Sequence, residues 1–251
     1  MDAYRFSSVE LKQIADQVWI APRDTNPDTV LPNVGVIITP TQTILIDSGN
    51  SPRSARRIMH ALLDLDAPPV SYVVYTHHHW DHVFGGDVFS AQIIAHNLCR
   101  DLLLKSAAKP WSQAYLQEEI YKNPLLEDSR RAMARAVDDW HNFRIRVPTI
   151  TFTRKAEFYL DGITLEAVHV GGQHAEDSIV VRVREAGVLF LGDCFYPPPQ
   201  HLRQPSDTLD GDMLERLIDP DIKVYIDGHG DPFDVSGMHE RIAEARMHEN
   251  G

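Results

Sequence analysis

The sequence predicts an α/β fold in which two β-rich halves pack as a sandwich, with a helical stretch inserted between them. Three observations carry this. Short runs of β-branched and aromatic residues, bounded by turn residues, recur in both halves. A segment of helical period interrupts each set of strands. From residue 97 to about 146 the composition turns helix-forming, broken at Pro110 and Pro124. No low-complexity linker divides the 251 residues, so one domain spanning 1–251 with an insertion at about 97–146 is the expected organisation.

Taken in order, Val18-Trp19-Ile20 reads as the first strand, while Val9, Leu11, Ile14 and Ala15 before it follow no clear period. Residues 24–32 are turn chemistry, rich in Asp, Asn, Thr and Pro. Residues 33–38 and 43–46 form two strands of a hairpin through Thr39-Pro40-Thr41-Gln42. Ala55, Ile58, Ala61, Leu62 and Leu65 then repeat at helical spacing, and the helix stops before Pro68-Pro69. Residues 70–75 are a buried strand and 92–95 another. In the insertion, residues 98–104, 113–121 and 125–143 are candidate helices, anchored by Trp111, Tyr115, Tyr121, Trp140 and Phe143. Those aromatics either pack the helices on the body, or cap a pocket, or make a homodimer contact. The second half restarts in strands at 150–152, 157–160, 163–168, 179–183 and 188–191. A helix at 213–218, a strand at 224–226 and a helix-like segment at 238–247 complete it.

Charge and cysteine usage narrow the function classes. The chain carries 24 basic and 36 acidic residues and no long basic block, so nucleic acid is a disfavoured partner. Cys99 and Cys194 are too few for a disulfide framework, which fits a reducing, cytoplasmic setting. The start, Met1-Asp2-Ala3-Tyr4-Arg5, lacks the pattern of an export signal. No apolar run approaches the roughly 20 residues a membrane span needs, so no membrane partner is expected.

Chemistry concentrates in Tyr75-Thr76-His77-His78-His79-Trp80-Asp81-His82, followed by Val83-Phe84-Gly85-Gly86. Four metal-binding side chains, His77, His79, Asp81 and His82, fall at spacings of two, two and one, directly after an apolar strand. Three more candidates stand at strand ends beside glycines: His174 after Gly171-Gly172-Gln173, Asp193 after Gly192, and His229 between Gly228 and Gly230. Nitrogen and carboxylate donors without thiolate suit zinc, with iron or manganese as alternatives. Asp47, at a strand end before Gly49, is either an ordinary turn former or the hydrogen-bond partner of a metal-bound imidazole. His78 and Trp80 alternate with the ligands and point away, and His96 reads as structural or exposed.

In these motifs the chain resembles the metallo-β-lactamase superfamily over nearly its whole length. The resemblance rests on Leu45-Ile46-Asp47-Ser48-Gly49, the His-x-His-x-Asp-His element at 77–82, the segment ending in His174, Gly192-Asp193 and Gly228-His229-Gly230, all in the family's order. It implies an αββα sandwich with a metal site at one edge of the two sheets. It implies that His77, His79 and His174 bind a first metal, that Asp81, His82 and His229 bind a second, and that Asp193 bridges both. Two zinc ions would share a hydroxide, with Asp81 orienting it and shuttling its proton to the leaving group.

Departures within the family shape the substrate expectation. Zinc β-lactamases with a cysteine ligand place it where this chain has Asp193, with a substrate-binding lysine three residues on; here that residue is Tyr196. Acyl-homoserine lactonases are more similar, carrying the bridging Asp and a Tyr, so Tyr196 is a candidate oxyanion or orienting group, or else a packing residue under Pro197-Pro198-Pro199. Cys194 reads as a small buried residue beside the bridge. Glyoxalase II shares the bridge but adds a helical C-terminal domain, the nuclease branches add nucleic-acid domains, and the flavin-linked branch adds a flavodoxin-like domain. The expected function is a dinuclear zinc hydrolase of a small acyl compound: lactone or ester first, then β-lactam-like amide, then thioester. The alternatives are a mononuclear non-haem iron oxidoreductase of the same superfamily and a non-catalytic metal-binding protein.

Overall fold

The computed structural model describes residues 8–249. The apolar runs of the first half pair into a seven-stranded sheet in chain order: β1 (Lys12–Ala15), β2 (Val18–Ala21), β3 (Val34–Ile38), β4 (Thr43–Ile46), β5 (Val70–Val74), β6 (Gln92–His96) and β7 (Ile150–Phe152). Pairing is antiparallel from β1 to β4 and parallel from β4 to β7. The parallel β4–β5 step needs a crossover, which α1 (Pro52–Asp64) supplies; Ser51 caps it and Pro52 opens its first turn. The second sheet runs β12-β11-β10-β9-β8, from β8 (Lys155–Leu160), β9 (Ile163–His169), β10 (Ile179–Val183), β11 (Val188–Gly192) and β12 (Val224–Asp227).

Period-two alternation sorts side chains to the two faces of each sheet. Ile37, Ile44, Ile46, Val74 and Ile94 of the first sheet meet Leu165, Val181, Phe190 and Ile226 of the second, making the inter-sheet core. The opposite face of the first sheet, with Val36, Leu45, Val73 and Ile93, is covered by α1 and by the insertion helices α3 (Asn97–Ala107), α4 (Gln113–Lys122) and α5 (Glu127–Ala136). The outer face of the second sheet, with Leu189, Leu191 and Tyr225, lies under α6 (Gly211–Arg216) and α7 (Val235–Glu249). The layers are therefore helix, sheet, sheet, helix: the αββα sandwich.

Three elements differ from the sequence reading. Residues 12–15 form a strand, paired with β2 through a turn in which Gln17 takes φ 59°. Their partner supplies the order that their own spacing lacks. Residues 150–152 close the first sheet beside β6 instead of opening the second. The expected helix over 125–143 is a 3₁₀ turn (Pro124–Leu126) followed by α5, which ends at Ala136. Beyond it the Asp139 carboxylate accepts from the backbone N–H groups of His141 and Asn142, a local turn that competes with helix propagation. Val137 and Phe143 are buried without helical support.

Gly35 of β3 faces the inter-sheet core, where a Cβ would lie 2.5 Å from Phe190 Cε1 and 3.0 Å from Ile46 Cβ. The Phe190 ring thus occupies the space of a missing side chain. Replacing Phe190 by Ala is expected to cost about 3–5 kcal/mol through the cavity it leaves. Gly35→Ala is expected to cost about 1–3 kcal/mol by overpacking, and that cost should disappear in the double variant. Urea unfolding of the three variants checks this; additive losses would show that the two positions do not share the space.

Candidate metal centre

Every candidate ligand hangs from a strand end on one edge of the sandwich. Beyond β5, Tyr75 and Thr76 lead into His77-His78-His79, and the chain then closes a single helical turn, α2 (Trp80–Val83). A bend through Thr76-His77-His78 brings His77 and His79 to one centre, and the helical turn brings Asp81 and His82 round to join them. Asp193 follows β11 and His229 follows β12; the pairing of Gly192 with Asp227 sets those two side by side. His174 comes from the loop between β9 and β10.

The ligand-type atoms of His77, His79 and His174 lie within 4.8 Å of one another, as do those of Asp81, His82, Asp193 and His229. Asp193 Oδ2 joins the groups: it is 3.3 Å from His174 Nε2, 3.3 Å from His229 Nε2, 3.4 Å from His82 Nε2 and 4.0 Å from His77 Nε2. Asp81 Oδ2 is 3.1 Å from His229 Nε2 and 3.5 Å from His82 Nε2. His79 presents Nδ1, 2.9 Å from His174 Nε2. His77 Nε2, His82 Nε2 and Asp193 Oδ1 are buried with no hydrogen-bond partner, although buried polar atoms ordinarily have one. Orphaned nitrogen and carboxylate donors converging on one point fit a divalent cation.

Bonds on the far side of three of the five rings fix which nitrogen faces the centre. Asp47 accepts from Thr76 N at 2.7 Å, from Thr76 Oγ1 at 2.8 Å and from His82 Nδ1 at 2.7 Å. Because the Thr76 hydroxyl proton is committed to Asp47, its oxygen is free to accept from His77 Nδ1, 3.1 Å away. His174 Nδ1 donates to Pro197 O at 2.9 Å. Each of these three rings therefore turns an Nε2 lone pair inward. Asp47 holds its place at φ 66°, a left-handed conformation that Asp tolerates better than most residues.

Electrostatics divide the cluster. Burial, then the neighbouring imidazoles, pushes His77 well below its ordinary value and His79 down to about 3, so both rings are neutral donors. For His82 and His229 burial acts the same way but is overcome by Asp193 and Asp81; His82 is raised and His229 rises to about 10. Burial likewise opposes ionisation of Asp193 and Asp81, yet the surrounding imidazoles hold both carboxyls low. A dication in the carboxylate half would take the place of those ring protons.

The residues expected to stand apart do so. His78 Nδ1 donates to Asp177 Oδ1 at 2.8 Å, away from the cluster. The Trp80 ring packs on Phe84, centroids 5.8 Å apart, and borders the cleft. His96 is buried, donates to Thr153 O and caps α3 at Leu98 N, with its ring stacked on His169. Cys194 is buried and its thiol is pushed up by that burial. Tyr196 lies beside His174 and His229, ring centroids 6.2 and 6.1 Å away, and burial, then the charge of Asp227, pushes its hydroxyl up.

Sequence reasoning missed Thr76 and Asn33. Thr76 carried a visible signal, a hydroxyl next to His77. Asn33 carried none: its side chain donates to Asp227 O and Gly230 O, pinning the His229 loop from 194 positions away. The reason for Gly228 also changes. Its φ is not in the left-handed region, but a Cβ there would run into Asp193 Oδ1 and come within 3.0 Å of His82 Cε1. Space, not backbone freedom, demands glycine.

The sequence signature of the metallo-beta-lactamase superfamily matches residues 27–229, which include all seven candidate ligands. The chain belongs to that superfamily. No curated protein matches it. Among solved structures it is similar to a metallo-beta-lactamase from Pontibacter korlensis, with 21% identity and TM-score 0.65 over 94% of this chain and 98% of that one. A metallo-beta-lactamase from Hirschia baltica gives 18% identity and TM-score 0.63 over 94% and 97%. At such identities these neighbours show the superfamily fold.

Asp47→Ala strips three donors of their acceptor and sets a less tolerant residue at positive φ. It is expected to destabilise the chain by about 1–3 kcal/mol in urea unfolding with chelator present. Asp47→Asn keeps an acceptor oxygen and the tolerance, and should cost less; equal losses would remove the hydrogen bonds as the cause.

Proposed function

We propose that this protein is a dinuclear zinc hydrolase that cleaves an acyl bond of a small molecule, a lactone or ester first. The observation that carries the reading is the position of Asp193 Oδ2, between 3.3 and 4.0 Å from imidazole nitrogens of both ligand groups. In this reading His77, His79 and His174 hold one ion, Asp81, His82 and His229 the other, and Asp193 both. Zinc suits the donor set, and iron or manganese would also be accepted by it. When bound, two such ions bring the pKa of water from about 15.7 towards 7 and polarise an acyl oxygen.

The chain's own groups do the rest. The buried Asp81 carboxylate orients the attacking oxygen, takes its proton and delivers it to the leaving oxygen. Tyr196, at the cleft wall beside His174 and His229, directs its hydroxyl to the acyl oxygen and orients it. The cleft above the centre has a volume of about 760 Å³ and apolar walls from Trp80, Phe84, Trp111 and Met133, which suits a small organic substrate and limits water. Asp193 and Tyr196, where the cysteine-ligated β-lactamases carry Cys and Lys, favour lactones and esters. A β-lactam amide stays second because both structural neighbours bear that name. A cytoplasmic setting belongs to the reading: Cys99 and Cys194 are free and buried, and among the described residues no helix is long and apolar enough to cross a membrane.

Metal analysis of protein purified without added metal should find about two ions per chain. Asp193→Ala should bring that below one, and chelation should abolish hydrolysis until metal is restored. Undiminished metal in Asp193→Ala would remove the bridge and with it the proposal.

On a panel of lactones, esters, β-lactams and glutathione thioesters, Asp81→Asn should lower kcat by roughly 10²–10⁴-fold on whichever substrate is turned over. A change confined to KM would assign Asp81 to binding alone.

A further inference from the structure

Beyond the metal centre, the cleft reverses the charge balance of the chain. Its lining includes Lys109, Arg130 and Arg203, and its acidic members are Asp81 and Asp193 of the centre itself, in a protein with 24 basic and 36 acidic residues. Arg130, on the insertion helix α5, is the informative one. Its side chain is only 12% exposed, and its contacts are long: 3.4 Å to Glu119 Oε2, 3.5 Å to Ser129 Oγ and 3.8 Å to Met133 Sδ. Its Nε is buried without any partner. A guanidinium offers five N–H donors, and burying one against a single stretched ion pair costs free energy that an arriving anion would offset.

The same lining supplies a second polar group. His201, on the loop after Pro197-Pro198-Pro199, lines the same cleft and is half-buried. Arg130 and His201 both line this one cleft, and burial, then the positive charge of Arg130, pushes the His201 ring below its ordinary value. Trp111, Met133 and Leu209 add apolar surface to the lining.

We infer that Arg130 and His201 form an anion-recognition subsite, and that the acyl substrate carries a carboxylate and an apolar body. The inference rests on the hydrolase reading for the word substrate and on the cleft alone for the subsite. A carboxylate matches the guanidinium fork with two parallel N–H···O bonds, and His201 in the same lining offers a further ring N–H.

Calorimetric titration of the full chain, with its metal as purified, compares 4-phenylbutanoate with the neutral 4-phenylbutanamide. The acid should bind at least about tenfold tighter. Arg130→Ala should erase that preference, and Arg130→Lys, which keeps charge but loses the fork, should retain part of it. Glu119→Gln should tighten the acid, because it releases the guanidinium from its ion pair. Acid binding unchanged in Arg130→Ala would assign the carboxylate to the metal and overturn the subsite. Equal weakening in Glu119→Gln and Arg130→Ala would overturn it too, by reducing Arg130 to a strut between α4 and α5. An Arg130-dependent preference in a chain that hydrolyses nothing on the panel would uphold the subsite and sink the hydrolase. Hydrolysis of neutral esters with no preference for carboxylated ones, and no change in KM on Arg130→Ala, would do the reverse.

Discussion

Burying five imidazoles and two carboxylates at one point is costly unless their outward sides are hydrogen-bonded, a requirement met at three of the five rings. Asp47 meets it for His82 directly and for His77 through the Thr76 hydroxyl. The backbone of Pro197 meets it for His174. These supports belong to segments far apart in the chain, so the cluster exists only where the two sheets bring their strand ends to one edge.

Two stitches between the sheets hold that edge in register. Ile179 N, at the start of β10, donates to Thr76 O in the His-rich segment. Asn33, at the start of β3, donates through its backbone to Gly228 O and through its side chain to Asp227 O and Gly230 O. The inter-sheet core makes the approach favourable, and the near contact of Gly35 with the Phe190 ring sets how closely the sheets approach. Packing thus determines the separation, while a few directional bonds determine the alignment on which the centre depends.

The insertion serves two ends at once. Cys99, Leu103, Leu116 and Met133 embed it in the core that covers the first sheet, and Trp111, Arg130 and Met133 face the cleft. Of its aromatics, Trp111, Tyr115, Trp140 and Phe143 pack against that core, Trp111 also lines the cleft, and Tyr121 is exposed and does neither. Such a wall can change its polar residues without disturbing the centre below, which is how one metal-binding scaffold comes to serve different substrates.

Much of the fold and most of the centre were legible along the chain, because their signals are local. Apolar runs at period two mark strands, the 54–65 spacing marks α1, and the ligand spacing at His77, His79, Asp81 and His82 is set by a strand end and one helical turn. Where the local signal was weak, tertiary partners decided. Residues 12–15 are a strand because β2 pairs with them, 150–152 join the first sheet because β6 has a free edge there, and α5 stops at Ala136 because the Asp139 carboxylate beyond it accepts from the backbone N–H groups of His141 and Asn142. By itself the sequence determined the candidate ligand types, their order and the sandwich that carries them. Only the tertiary structure decided that Asp193 stands between both groups, that Gly228 must lack a side chain and that Arg130 lies poorly paired in the cleft wall. Those are distances between atoms from separate strands and loops, and no spacing along a chain encodes them.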